Sequence, residues 1–170
     1  AGEQLQSQLD DLSTYARIET RAEARTTVDP GALARSVMAS LDVSESDVHI
    51  DVMPHLSVDS SQLTLLLRCL LDNTVKFAGG RAHVHAREEN GMVLLIVDDE
   101  GPGIPAEHRV AVFDIFRRLH TQSEAPGNGI GLALVARICA RHGGDAWADE
   151  SPKGGARIVC RLPVSRCTNT

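Results

Sequence analysis

Apolar side chains recur every three or four positions at the start of the chain, which is the period of an amphipathic α-helix. The pattern predicts a helix over about residues 2–24, with polar residues on its other faces. Its apolar seam consists of Leu5, Leu9, Leu12 and Ala16. Because such a seam is completed by a facing helix, we expect self-association through it or a partner helix N-terminal to it. Packing on the chain's own domain is the alternative.

Three further helices are predicted from apolar period and from their ends. An Asp-Pro pair opens the first, over residues 29–41, as an N-cap followed by proline at the first helical position. The second covers 59–80 and the third 130–144, and each closes at a Gly-Gly pair. Residues 25–29 are interpreted as a linker.

Alternating or continuous apolar runs predict the strands. They lie at 49–53, 81–88, 92–97, 145–149 and 156–162, with a hairpin turn at 89–91. Residues 99–129 are rich in glycine and proline and only patchily helical. The pattern therefore predicts an α+β fold, in which a mostly antiparallel sheet carries helices on one face and a helical arm precedes it.

Composition narrows the possible functions. The 170 residues include 17 basic and 23 acidic side chains, a net charge of −6, and aromatics make up only 3%. An acidic chain with few aromatics is a poor non-specific nucleic-acid binder, so we expect no nucleic-acid partner, and any positive charge for a polyanion must be local. No apolar run approaches the ~18 residues of a membrane span, and we expect no membrane contact. No secretory leader is expected at Ala1, and four cysteines without a CxxC spacing indicate reduced thiols in a cytoplasmic protein.

The first candidate site lies on the second predicted helix. Asn73 and Lys76 are three residues apart and so project on the same side, and Cys69 lies one turn earlier on that side. An Asn oxygen can bind a hard cation, and Lys can bind phosphate. The alternative is an ordinary solvated helix face.

The second candidate follows the buried strand, where residues 97–105 have the sequence VDDEGPGIP. A carboxylate at a strand end can accept a hydrogen bond from an exocyclic amine, and Gly101 and Gly103 let the backbone approach a flat ligand. The alternative is a tight surface turn.

The third candidate is the glycine run of residues 127–132, which opens the last helix. Backbone N–H groups at a helix N-terminus form an anion site. No strand leads directly into this run, so a dinucleotide-binding fingerprint lacks its structural context.

Taken together and in this order, the segments resemble the ATP-binding domain of sensor histidine kinases, in the GHKL superfamily of gyrase, Hsp90, histidine kinase and MutL. The resemblance covers about residues 29–163, and residues 116–124 are similar to kinases of the phytochrome-like group. The matching boxes are the N box at 70–77, G1 at 99–104, the F box at 112–119, G2 at 127–132 and G3 at 153–155.

The resemblance implies a two-layer α/β sandwich of the Bergerat type and a division of the chain. Residues 1–28 would be the second helix of the dimerisation and phosphotransfer region with its linker, 29–164 the ATP-binding catalytic domain and 165–170 a tail. Residues 11–19 resemble that second helix. The box that carries the phosphoacceptor histidine in the family is absent, and all seven histidines lie in the ATP-binding region. We therefore expect the acceptor to lie outside this chain and the chain alone to be inactive.

The resemblance also implies a role for each matching residue. Asp99 would accept a hydrogen bond from the adenine amine, Asn73 would bind Mg²⁺, and Lys76 would contact the phosphates of ATP. The remaining residues would line the base, the lid hinge and the phosphates. They are Gly101 and Gly103 at the base and hinge, Ile104 and Leu132 at the adenine walls, Gly127, Gly129, Gly131 and Leu132 at the phosphates, and Arg117 or Arg118 at the γ-phosphate.

The implied function is a histidine kinase that forms a homodimer through the N-terminal helix and serves a response-regulator receiver domain. Two departures weaken the match: Cys69 stands where the N box usually has Asn, and Arg157 and Ile158 replace a Thr-aromatic pair of the G3 region. A thiol is a poor ligand for Mg²⁺. One alternative is therefore a degenerate signalling module with weak or no ATP binding, and another is a GHKL kinase that acts on serine.

Overall fold

The computed structural model describes residues 13, 16–17, 23–44, 46–79, 81–114, 131–152 and 154–166. Of the predicted N-terminal helix, Ser13, Ala16 and Arg17 are helical, and the rest of that prediction lies outside the described residues. Within the described part, no helix has both the length and the apolar character needed to cross a membrane.

Along the described part of the chain, one strand precedes the first helix and a pair of strands follows each helix. The helices are α1 (Pro30–Ser40), α2 (Ser60–Ala78) and α3 (Gly131–Arg141). The strands are β1 (Thr26–Val28), β2 (Val48–Ile50), β3 (Leu56–Val58), β4 (Ala82–Glu89), β5 (Met92–Asp99), β6 (Ala146–Glu150) and β7 (Ala156–Pro163). Two short 3₁₀ turns, Ala106–His108 and Ala111–Phe113, follow β5.

A five-stranded sheet forms one layer, in the order β2-β4-β5-β7-β6. Strands β2 and β4 are parallel, whereas the other neighbours are antiparallel. Strands β1 and β3 form a separate antiparallel pair. The predicted α+β fold with a mixed, mostly antiparallel sheet is confirmed.

The predicted helix ends are explained by local hydrogen bonds. The Asp29 carboxylate accepts from the N–H of Gly31 at 3.0 Å, and Asp59 accepts from the N–H of Ser61 at 2.9 Å, so both are N-caps. Gly79 ends α2 with φ of 64°, in the left-handed region that glycine adopts at helix ends.

Side chains of β5 alternate between two faces of the sheet, as the period of a strand requires. Val93, Leu95 and Val97 face the helices and join the main core. Leu94 and Ile96 face the other side, where they form a smaller buried cluster with Val159 and the partly buried Trp147. The neighbouring residues Asp98 and Asp99 consequently project to opposite faces.

Two predictions about the first half of the domain were wrong. Residues 25–29, interpreted as a linker, contain β1, which pairs with the unpredicted β3. The strand predicted at 49–53 is limited to Val48–Ile50. Three-residue strands are too short to show a period of two, which explains why β1 and β3 were not predicted.

Candidate functional site

Asp99 ends the central strand β5 and is held by backbone donors. Its Oδ1 accepts a hydrogen bond from the N–H of Gly101 at 3.0 Å and another from the N–H of Ala156 at 2.9 Å. Within the described part of the chain, no residue donates a hydrogen bond to Oδ2. The carboxylate is therefore fixed by one oxygen and offers the other as an acceptor.

A glycine turn before β7 packs directly on Asp99. A Cβ at Gly155 would overlap the backbone carbonyl group and the carboxylate of Asp99. Gly103 has φ of 79°, and a Cβ there would lie 3.5 Å from the carbonyl carbon of Gly155. The predicted G1 segment and the G3 turn therefore form one surface around Asp99.

The start of α3 lies against the N-box face of α2. A Cβ at Gly131 would lie 3.6 Å from the Cβ of Cys69 and 3.8 Å from its sulfur. The first N–H groups of α3 have no partner within the helix, so they are available next to the side of α2 that carries Cys69. These distances are ordinary van der Waals contacts, so the start of α3 packs directly beside Cys69.

Asn73 and Lys76 lie further along α2. Asn73 is half-buried, and the Nζ of Lys76 forms an ion pair with Asp72 at 2.9 Å. The two charged side chains are 39% and 42% exposed, so water screens the pair and Lys76 can exchange it for another anion at little cost.

Apolar side chains and one arginine support the loop that follows Asp99. Ile104 and Leu132 are partly buried and pack against the main core. The Arg109 Nε donates to the Ile104 carbonyl oxygen at 3.1 Å. These contacts hold the backbone of residues 104–109 on the domain.

The predicted site residues are thus placed in two groups. Asp99, Gly101 and Gly103 meet at the glycine turn, and Gly131 meets α2 at Cys69. Four predicted residues lie outside the described ones: Arg117, Arg118, Gly127 and Gly129.

Sequence reasoning placed Gly155 in the G3 segment without predicting its contact with Asp99, and it missed Ala156 at the start of β7. Gly155 allows the close approach and Ala156 donates the N–H. The available signal was the glycine pair of the G3 segment, which indicated a site without indicating which strand it serves.

The adjacent carboxylate, Asp98, has a different environment on the opposite face. Arg157 donates to its two oxygens at 2.7 and 2.9 Å, and His85 Nε2 lies 2.7 Å from Oδ2. Burial raises the pKa of Asp98, but the hydrogen bonds from Arg157 and His85 outweigh burial and hold that pKa below its usual value. The same bond to Asp98 raises the pKa of Arg157.

The structure thus combines a mixed sheet that carries helices on one face with a fixed carboxylate beside a glycine turn at the end of the central strand, as expected for a two-layer α/β sandwich with a ligand site at that edge. The chain belongs to the histidine kinase-, DNA gyrase B- and HSP90-like ATPase family, which matches residues 58–166.

Relatives in this family include sensor kinases. The chain is 34% identical over 164 residues to the probable sensor histidine kinase HK of Mycobacterium tuberculosis, covering 95% of this chain and 43% of HK. It is 30% identical over 167 residues to the phytochrome-like protein Cph1 of Synechocystis, covering 94% of this chain and 22% of Cph1. The chain therefore spans less than half the length of these two relatives, and the predicted similarity to the phytochrome-like group is confirmed.

A solved structure supports the same assignment. Full-length ShkA in complex with AMPPNP superposes with a TM-score of 0.76 at 27% identity, covering 99% of this chain and 37% of ShkA. Together with the family match and the sensor-kinase relatives, this likeness shows that the chain is an ATP-binding domain of the sensor histidine kinase type.

Proposed function

We propose that this chain is the part of a two-component sensor histidine kinase that binds Mg-ATP and delivers the γ-phosphoryl group to a histidine outside these 170 residues. From that histidine the group passes to an aspartate of a response-regulator receiver domain. The site on this chain supplies binding and orientation, which phosphoryl transfer needs more than a strong base.

The observation that carries the proposal is the geometry of Asp99. Because two backbone N–H groups fix Oδ1, Oδ2 remains the acceptor for an exocyclic amine. The adenine of ATP presents such an amine next to a ring nitrogen, whereas guanine presents a carbonyl oxygen at the same place. The AMPPNP bound to ShkA is an adenine nucleotide, which agrees with this assignment.

The other predicted residues act around this anchor. Gly101, Gly103 and Ile104 would line the base, and the N–H groups of Gly131 and Leu132 would bind phosphate oxygens. Lys76 would leave Asp72 for the phosphates. The predicted residues outside the described ones would also bind the phosphate end of ATP. Gly127 and Gly129 would contact the phosphates, and Arg117 or Arg118 would contact the γ-phosphate.

The residues present can hold Mg²⁺, but with one protein oxygen ligand instead of two. Mg²⁺ in nucleotide sites keeps several waters and takes one or two protein oxygens, and Asn73 offers one such oxygen. The position one turn earlier holds Cys69, whose sulfur suits Mg²⁺ poorly. When bound, Mg²⁺ would neutralise charge on the phosphates, while Asn73 would fix its position.

The remaining assignments are proposals of the same kind. Residues 1–28 would belong to the dimerisation region and form a homodimer through the N-terminal helix, with 29–164 as the catalytic domain and 165–170 as a tail. The kinase region would work in the cytoplasm, where ATP and the receiver domain are available.

Nucleotide selectivity tests the proposal. Calorimetry of the full chain with Mg-ATP and Mg-GTP should show saturable binding of ATP and at least about tenfold weaker binding of GTP, the worth of about one hydrogen bond. Equal affinities, or no ATP binding at millimolar nucleotide, would contradict it.

A non-catalytic module is the second candidate, and Cys69 is the observation that favours it. Restoring the oxygen ligand with Cys69→Asn should raise the Mg²⁺-dependent part of the ATP affinity, with Cys69→Ala, which supplies no oxygen, as the control. If the wild-type chain binds no ATP and Cys69→Asn does not restore binding, the non-catalytic candidate is favoured over the kinase.

A further inference from the structure

A cluster of histidines lies on the face of the sheet opposite Asp99. His49 of β2 and His83 of β4 are direct partners in the parallel register, and Asp51 follows His49 by two positions, which places it on the same face. The Asp51 N–H donates to the carbonyl oxygen of Val84 at 2.9 Å, which continues the pairing beyond β2. The backbone of two neighbouring strands therefore brings the three side chains together.

The side chains converge on one oxygen atom. The Nε2 atoms of His49 and His83 lie 3.1 and 3.0 Å from Oδ1 of Asp51. Their ring centroids are 5.3 Å apart. One carboxylate oxygen and two imidazole nitrogens thus form a compact triangle, the one group of three or more potential metal ligands found in the described part of the chain.

We propose that His49, Asp51 and His83 form a binding site for a divalent transition-metal ion such as Zn²⁺. Metal–ligand bonds of about 2.0–2.2 Å at tetrahedral angles separate neighbouring ligand atoms by about 3.3 Å. The two Nε2–Oδ1 distances are close to this value, and all three ligand atoms lie within 4.8 Å of one another, so small side-chain rotations would let them hold a metal ion. Two nitrogen donors and one carboxylate favour Zn²⁺, Co²⁺ or Ni²⁺ over Mg²⁺ and Ca²⁺, which prefer oxygen ligands.

The surroundings support an accessible and rigid site. The side chains of His49, Asp51 and His83 are 76%, 41% and 28% exposed, so an ion and its remaining waters can reach them. His83 also stacks on His85 with ring centroids 4.4 Å apart, and His85 is held by Asp98. The site would join the three-residue edge strand β2 to the longer strand β4.

Zinc titration tests the site without nucleotide, because ATP itself chelates metal ions. Calorimetry of the full chain with Zn²⁺ should show one saturable site, and Mg²⁺ should not compete for it. Loss of an outer-shell partner typically weakens metal binding about 10–100-fold, so loss of a direct ligand in His49→Gln, Asp51→Asn or His83→Gln should weaken it at least about 100-fold. His55→Gln, which removes a histidine 4.0 Å from a different carboxylate, should leave the affinity unchanged.

Two readouts separate this site from binding at cysteines. The Co²⁺ complex should show a spectrum of nitrogen and oxygen ligands without a thiolate charge-transfer band, and Cys69→Ser should bind as the wild type does. Zinc should also raise the unfolding temperature of the wild type but not of His83→Gln. Absence of saturable zinc binding, or wild-type affinity in both His49→Gln and His83→Gln, would overturn the proposal.

Discussion

The neighbouring carboxylates of Asp98 and Asp99 lie on opposite faces of the sheet and have different hydrogen-bond partners. Asp99 faces the helices and is held through one oxygen by backbone N–H groups. Asp98 faces the other side and is paired through both oxygens with Arg157, with His85 on one of them. The first arrangement keeps an acceptor available for a ligand, whereas the second uses the carboxylate to join three strands.

The same contrast extends across the sheet. The helix face carries the main apolar core and the glycine turns around Asp99. The opposite face carries a small apolar cluster bordered by the ladder of His49, His83, Asp98 and Arg157, in which each residue is a register partner of the next. The two sites therefore lie on opposite faces of one sheet: the candidate nucleotide site is at the end of β5, and the candidate metal site is on β2 and β4.

The largest expected change in the free energy of unfolding comes from the difference in packing between the two faces of the sheet. Leu95 is fully buried in the main core, and Leu94 lies in the small cluster. We expect Leu95→Ala to lower the free energy of unfolding by about 3–5 kcal/mol and Leu94→Ala by about half of that, because the smaller cluster leaves a cavity that can collapse or admit water. Urea unfolding of both variants measures the difference, and equal losses would show that the two faces are packed alike.

The next largest change in the free energy of unfolding should come from removing an ion pair on the outer face of the sheet. Asp98→Ala leaves Arg157 and His85 without their shared partner, so we expect a loss of about 2–3 kcal/mol, less than for a fully buried pair because Arg157 is partly exposed. The matched control is Asp72→Ala, which removes the exposed pair with Lys76 and should cost about 0–0.5 kcal/mol. Urea unfolding measures both changes. A similar cost for the two variants would mean that the network at Asp98 does not stabilise the outer face.

A smaller, pH-dependent effect should come from a buried histidine on the helix side. His142 accepts from the N–H of Asp59 at 3.0 Å and donates from Nδ1 to the Ile138 carbonyl oxygen at 2.8 Å. Burial lowers the pKa of His142, so below its unfolded value of about 6.5 the unfolded chain binds the extra proton first. Stability from this residue is therefore complete above about pH 6.5 and is lost as the pH falls below it.

The matched variant for this prediction is His142→Gln, which should cost about 1–2 kcal/mol at pH 7.5 through its lost hydrogen bonds. Between pH 7.5 and 5.5 the variant should lose less stability than the wild type. The other histidines are present in both proteins, so their contributions cancel. An equal loss on acidification would show that His142 is not the responsible group.

Much of this architecture could be predicted from the sequence, because the long elements carry strong local signals. Asp29 and Asp59 predicted their helix starts, and Gly79 predicted a helix end. The Asn90-Gly91 pair has φ of 53° and 78°, as expected for the predicted tight hairpin turn.

The features that could not be predicted depend on contacts between residues that are far apart in the sequence. The short strands β1 and β3 exist because they pair with each other, and Ala156 reaches Asp99 only because β7 lies beside β5. The convergence of His49 and His83 likewise follows from the parallel register of β2 and β4. No local period encodes such pairings.

We expect Asp99, and not its neighbour Asp98, to recognise the nucleotide. In Asp99→Asn the amide oxygen should stay with the two backbone N–H groups, which turns the amide NH₂ toward the adenine amine and replaces an acceptor by a donor. Calorimetry with Mg-ATP should then show an affinity about 10- to 100-fold lower for Asp99→Asn. Asp98→Asn, measured at a temperature where circular dichroism shows it folded, should bind as the wild type does. Wild-type affinity in Asp99→Asn, or an equal loss in both variants, would contradict the account.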